Sequence, residues 1–186
     1  GERVDLGDGA SGGIVVAIAG EPDQLDPHKT TAYFSFEVLE NVFDTLVEPD
    51  ANLEMRPALA ESWEVSPDQR TWTFRLRNGV EFHDGTPLTA DDVVFSYRRI
   101  IDEEFANSDK FSAVTALEAP DPSTVVIRTD RPTPNMLTNI GGFKGMAIVS
   151  RRNVESGQIA TRREGTGPFS FRAQKSGDSI TLESNP

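Results

Sequence analysis

Between Thr71 and Arg77 apolar and polar side chains alternate one by one, Trp72, Phe74 and Leu76 against Thr73, Arg75 and Arg77. A period of two belongs to a strand with one buried face. Turn residues bound it, Ser66-Pro67-Asp68 before and Asn78-Gly79 after. Further on the period lengthens: Val93, Val94, Tyr97, Ile100 and Ile101 share one stripe of a helix predicted from about Ala90 to Ile101, with Arg98, Arg99, Asp102 and Glu103 towards water. Thr89 and Asp92, three positions apart, predict a capping box at its start. Asp91 and Asp92 then serve the helix N-terminus. Trp63 and Phe82 are core candidates, and Trp72, Phe74, Val94 and Tyr97 are predicted to be largely buried.

The same reading extends to both ends. Gly13–Ala19, GIVVAIA, is a continuous apolar run that predicts a strand near Ile14–Ala19 covered on both faces. Two prolines force a loop over Gly20–His28. Phe34, Val38, Leu39, Val42, Phe43 and Leu46 predict a helix within Phe34–Leu46. Thr124–Thr129 reads as a strand between Pro120-Asp121-Pro122 and Arg131-Pro132-Thr133-Pro134, Met146–Val149 as a short strand, and Ser176-Gly177-Asp178 as the turn of a hairpin leading to Ile180 and Leu182. Helical and strand periods interleave, so the fold class is α/β. The Gly- and Asp-rich Gly7–Gly13 reads as a flexible tether.

Charge narrows the function. The 186 residues carry a net charge of −12, which argues against nucleic acid, where Lys and Arg must neutralise phosphates, and against anionic lipid. No apolar run approaches the ~18 residues of a membrane span. With no cysteine there are no disulfides, thiolate chemistry or Cys-based zinc sites. His28 and His83 are the only imidazoles, set in separate motifs without metal-ligand spacing; His28 is expected to settle a proline turn and His83 a strand end. The acid pairs Asp91-Asp92 and Glu103-Glu104 are adjacent and do not face each other on a helix. There is no Gly-x-Ser-x-Gly elbow, and Gly141-Gly142-Phe143-Lys144-Gly145 lacks a phosphate-cradle ending, so it reads as a loop. No metal or cofactor is expected, and little supports an enzyme.

Three ordered blocks carry a resemblance. The first is the strand, the loop Glu21-Pro22-Asp23-Gln24-Leu25-Asp26-Pro27-His28, and the helix ending in Asp44-Thr45-Leu46. The second is Pro57–Ile101, with Ala60-Glu61-Ser62-Trp63, the Trp72 strand and Phe82-His83-Asp84-Gly85-Thr86-Pro87-Leu88-Thr89-Ala90-Asp91-Asp92-Val93. The third is Gly165-Thr166-Gly167-Pro168-Phe169-Ser170-Phe171. Together they resemble extracellular solute-binding protein family 5, the peptide and nickel type that serves ABC importers.

That resemblance implies the N-terminal part of a periplasmic-binding-protein-like clamshell (type II, cluster C) with an inserted α/β subdomain. Residues 1–12 would be the tether, 13–46 the first segment of ligand-binding lobe I, 47–164 the inserted subdomain and 165–186 the return to the lobe I core. The second lobe would be absent, and the polar start at Gly1 would be one from which an export signal has been removed. The implied role is capture of a small solute, most simply a peptide, outside the membrane, in a periplasmic or cell-surface lipoprotein that passes it to an ABC permease. By position, Thr30, Thr31, Ala32 and Tyr33 would line the ligand cleft, with Glu21, Asn107 and Ser108 as further candidates. Open strand edges leave self-association as an expectation. A ligand-sensing module of a regulatory protein and a hydrolase remain as alternatives.

Overall fold

The computed structural model describes residues 15–185; the expected tether and Ile14 lie outside them. In chain order the elements are helix α1 (Tyr33–Leu39), strands β1 (Val47–Pro49), β2 (Met55–Pro57), β3 (Ala60–Val65) and β4 (Thr71–Leu76), helix α2 (Ala90–Asp102), strands β5 (Val114–Asp121) and β6 (Thr124–Thr129), helices α3 (Met136–Gly141) and α4 (Arg151–Glu155), and strands β7 (Phe169–Lys175) and β8 (Ser179–Ser184). Single 3-10 turns occupy Ser108–Phe111 and Lys144–Met146. β3, β4, β6 and β5 form an antiparallel sheet in that order, while β1–β2 and β7–β8 are separate hairpins. The mixture is α/β, as the two periods imply.

Two apolar cores divide the molecule. The larger lies between the four-stranded sheet and α2, where Phe74, Val93, Tyr97, Ile100, Val125 and Ile127 are wholly buried. Burying Val93 or Ile100 stabilises the fold by roughly 1.5–3 kcal/mol each. Trp72 joins this core and Phe82 is buried, but Trp63 and Val94 sit on its flank and are only partly buried. At the start of α2 the Asp92 carboxylate accepts from the Thr89 N–H at 3.0 Å and the Thr89 hydroxyl at 2.9 Å. The smaller core gathers Leu25, Val38, Leu39, Val42, Phe43, Ala147, Val149 and Ile159. Ser96 of α2 links the two, accepting from the Val149 N–H at 2.9 Å.

Three predicted elements come out differently. The apolar stripe runs to Leu46, yet α1 stops at Leu39. Beyond it the Asn41 and Val42 carbonyls, which a longer helix would use internally, accept instead from the Phe169 and Gly167 N–H groups at 3.0 and 2.9 Å. The approach is close enough that a Cβ on Gly165 would fall 1.9 Å from the Val42 oxygen, so this glycine is what admits the contact. In place of a Met146–Val149 strand, Met146 closes a 3-10 turn and Ala147–Val149 runs on without a ladder: the Ile148 N–H binds the Asp44 carbonyl at 2.8 Å, and Ser96 takes that of Val149. Val15–Ala19 forms no strand, and Val15 and Val16 are exposed. Among the described residues no strand lies beside that run to complete a ladder, so its β-branched pattern has nothing to pair with.

Candidate functional site

The loop from Glu21 to Ala32 is built around two carboxylates. Asp23 accepts through Oδ1 from the Ser35 hydroxyl at 2.6 Å, the Thr30 hydroxyl at 2.6 Å and the Gln24 N–H at 2.7 Å. The Ser35 and Thr30 hydroxyls hold its carboxyl below the usual range. Thr30 is itself buried, and its oxygen also accepts from the Ala32 N–H at 3.0 Å. The backbone from Thr30 to the first turn of α1 is thereby pinned. Thr31 and Tyr33 remain on the outside, and Tyr33 is 71% exposed.

The second carboxylate corrects the sequence reading of α2. Arg99, expected to face water, grips Asp26 with both nitrogens, Nη1 to Oδ1 at 3.0 Å and Nη2 to Oδ2 at 2.6 Å, and its side chain is only 8% exposed. Nη1 also donates to His28 Nδ1 at 2.9 Å, while His28 Nε2 donates to the Ala147 carbonyl at 2.8 Å. His28 therefore does more than settle a turn: it is wholly buried and ties the loop to the chain after α3. Its two partners fix the neutral tautomer with the proton on Nε2. Burial, opposed by the Ala147 bond and reinforced by the Arg99 charge, lowers its pKa to about 4. Burial alone would raise Asp26, yet the Arg99 hydrogen bond and charge carry it below the usual range.

A pH dependence follows. The unfolded imidazole titrates near 6.5 and the folded one near 4, so between those values the unfolded chain binds more protons. Stability therefore rises with pH across this window and is lost as pH falls through it. Melting temperatures from pH 7 to pH 4 should show the decline, and His28→Gln should flatten it. An unaltered slope in that variant would assign the effect to other groups.

His83 likewise exceeds its expected place at a strand end. Its Nε2 donates to the Gly167 carbonyl at 2.9 Å and its Nδ1 accepts from the Gly165 N–H at 3.2 Å, so the imidazole clips the glycine turn against the stretch that leads from β4 into α2. The stretch Gly141–Gly145, read as a loop, instead ends α3 and enters a 3-10 turn.

The two candidate segments are brought to neighbouring positions. Lys29, just before Thr30, lies over the Phe105 ring at 5.8 Å, and Phe105 opens the turn that holds Asn107 and Ser108, with the Ser108 N–H on its carbonyl. From the other side Phe36 of α1 meets Phe143 edge-on at 5.4 Å, Lys110 covers Phe143 at 5.6 Å, and Asn107 and Phe143 both crowd Gly145. Glu21 stands apart: its carboxylate accepts from the Ser176 hydroxyl at 2.8 Å and the Gly177 N–H at 2.9 Å, anchoring the β7–β8 turn. Sequence reasoning missed Phe36, Lys110 and Phe143, whose only signal was their spacing beside apolar positions. Among the described residues no group of His, Asp or Glu could hold a metal, and no helix is long and apolar enough to cross a membrane.

This architecture is that of part of a periplasmic binding protein. The structure of Haemophilus influenzae OppA in complex with RPPGFSPFR superposes with a TM-score of 0.83 at 27% identity, over 89% of this chain and 37% of that one. The binding protein AgaA from A. tumefaciens R10, in complex with agropinic acid, gives 0.83 at 31% identity, over 89% and 34%. Protein XP55 of Streptomyces lividans is 33% identical, over 100% of this chain and 34% of its own length. The family model for bacterial extracellular solute-binding proteins, family 5, matches residues 54–186, and the chain belongs to that family. It spans about a third of the length of these relatives.

Proposed function

We propose that the chain forms part of the solute-capturing component of an ABC importer. It takes a peptide or similar small solute outside the membrane, in the periplasm or at an anchored cell-surface position, and presents it to the permease. Residues 13–46 and 165–186 would belong to ligand-binding lobe I, and 47–164 to a subdomain inserted in it. The observation that carries this reading is the pinned Thr30–Tyr33 segment, which leaves Thr31 and the Tyr33 ring in solvent on a backbone immobilised by Asp23. An aromatic face with free main chain beside it suits an extended peptide, whose side chains pack on apolar surface while its amides find backbone partners. Asn107 and Ser108 would border the same face. The ligands of the OppA and AgaA complexes, the peptide RPPGFSPFR and agropinic acid, support this class of solute.

Calorimetry with a peptide library tests the assignment. Tyr33→Ala should weaken binding about tenfold, a loss of ~1.4 kcal/mol, without moving the melting temperature, because the ring is not packed in either core. Unchanged affinity would remove Tyr33 from the site. Light scattering on the same sample addresses a second proposal, self-association through the open edges of β3 and β5 and the exposed Val15 and Val16; a strictly monomeric mass would exclude it.

A further inference from the structure

A pocket of about 540 Å³ lies between the Pro22–Asp26 loop, the end of α2 and the segment after α4. None of Thr30–Tyr33, Asn107 or Ser108 lines it, although the adjoining Lys29 and Phe105 do, so it borders the face proposed above without including its residues. Its charged lining is Lys29, Arg99 and Arg163 against Asp23, Asp26 and Glu103. Half of these charges are already engaged. Arg99 and Asp26 neutralise each other, and Asp23 Oδ1 takes three donors. Lys29, Arg163 and Glu103 make no salt bridge among the described residues.

Arg163 is the unusual one. Arg70, Arg75, Arg77, Arg98 and Arg152 also lack a carboxylate partner among the described residues, but all five are exposed to water, whereas Arg163 is half-buried. Its guanidinium lies 3.9 Å over the Phe171 ring, and its Nε is buried without an acceptor. Its remaining bonds are long and to neutral oxygens, Gln174 Oε1 at 3.3 Å and the Thr161 carbonyl at 3.5 Å. Burial depresses its pKa, with no counter-charge acting to restore it. An unpaired charge removed from water is costly, and folded proteins compensate such charges with an ion or a paired group.

We propose that this pocket is a second binding site, for a small solute bearing a carboxylate, with Arg163 as its principal anchor and Lys29 as a supporting cation. A planar guanidinium fixed on an aromatic ring presents a ready fork to a carboxylate. Lys29, itself over Phe105, supplies a second positive charge at the pocket wall. Glu103 offers a carboxylate to a solute's ammonium group, which favours a free amino acid or short peptide over a dianion. The volume falls within the range of small-molecule pockets.

Titration of the ¹⁵N-labelled chain with trialanine and with trialanine amide, followed on the Arg163 Nε–H resonance, tests this. Trialanine should shift that resonance saturably, and the amide, which lacks the carboxylate, should bind at least tenfold more weakly. Followed on the Gly157 backbone amide, Arg163→Gln should abolish the response and Lys29→Gln should weaken it severalfold, while Tyr33→Ala should leave it intact. An absent shift, equal affinity for acid and amide, or a response that survives Arg163→Gln would overturn the proposal. Loss of the response in Tyr33→Ala would show that there is one site, at the other face.

Discussion

Replacing Arg99 with methionine should destabilise the chain by about 3–5 kcal/mol in urea denaturation, the loss expected when one partner of a buried ion pair is removed. The change leaves Asp26, whose side chain is only 5% exposed, holding its charge with no counter-ion, and deprives His28 Nδ1 of its donor. The damage arises from the carboxylate left behind, so removing that charge as well should reverse much of it: Arg99→Met with Asp26→Asn is expected to be clearly more stable than Arg99→Met alone. A loss below about 1 kcal/mol in the single variant would mean that Asp26 finds water or protonates at little cost, and that the pair is not what holds the loop to α2. The His28 window sharpens the comparison. Arg99 disfavours a charged imidazole, so the single variant should also raise the pH at which His28 titrates.

The second large effect concerns affinity. On the function proposed above, this chain alone should bind peptide roughly a thousandfold more weakly than a form of the relatives' full length that contains it, a difference of ~4 kcal/mol. Tight capture requires most of a ligand's surface to be buried, by two lobes closing on it. The Thr31–Tyr33 face leaves one side of an extended peptide in water. Ordering that peptide on an open face still loses its conformational freedom, with fewer contacts to offset it. Calorimetric titration of one peptide into both forms decides the matter. Equal affinities would show that the single face suffices, and hinge closure would then have no part in binding.

Local pattern was enough where an element's partners are close in sequence or where its period alone decides the buried face. The Trp72 alternation placed β4, the Val93–Ile100 stripe with its Thr89–Asp92 start placed α2, and Thr124–Thr129 appears with the predicted limits. The family blocks were legible for the same reason, since each is a contiguous run of turn, cap and core residues. What periodicity could not supply was anything fixed by distant backbone. α1 ends early because Gly167 and Phe169 take the carbonyls it would need to continue. Val15–Ala19 has a strand's composition, but a strand exists only with a neighbour to share its hydrogen bonds. The candidate site divides in the same way: Thr30 to Tyr33 were marked by their position after the Glu21–His28 loop, whereas the role of Asp23 within that loop in pinning them, and the Phe143 ring beside them, were not legible. Arg99 shows the limit most directly. Its place beside Arg98 on a helix reads as solvent-facing, and only the fold brings Asp26, 73 residues away in sequence, within 2.6 Å of it. Charge pairing in a low-dielectric interior depends on three-dimensional distance, and that distance was set by the packing of the loop onto α2.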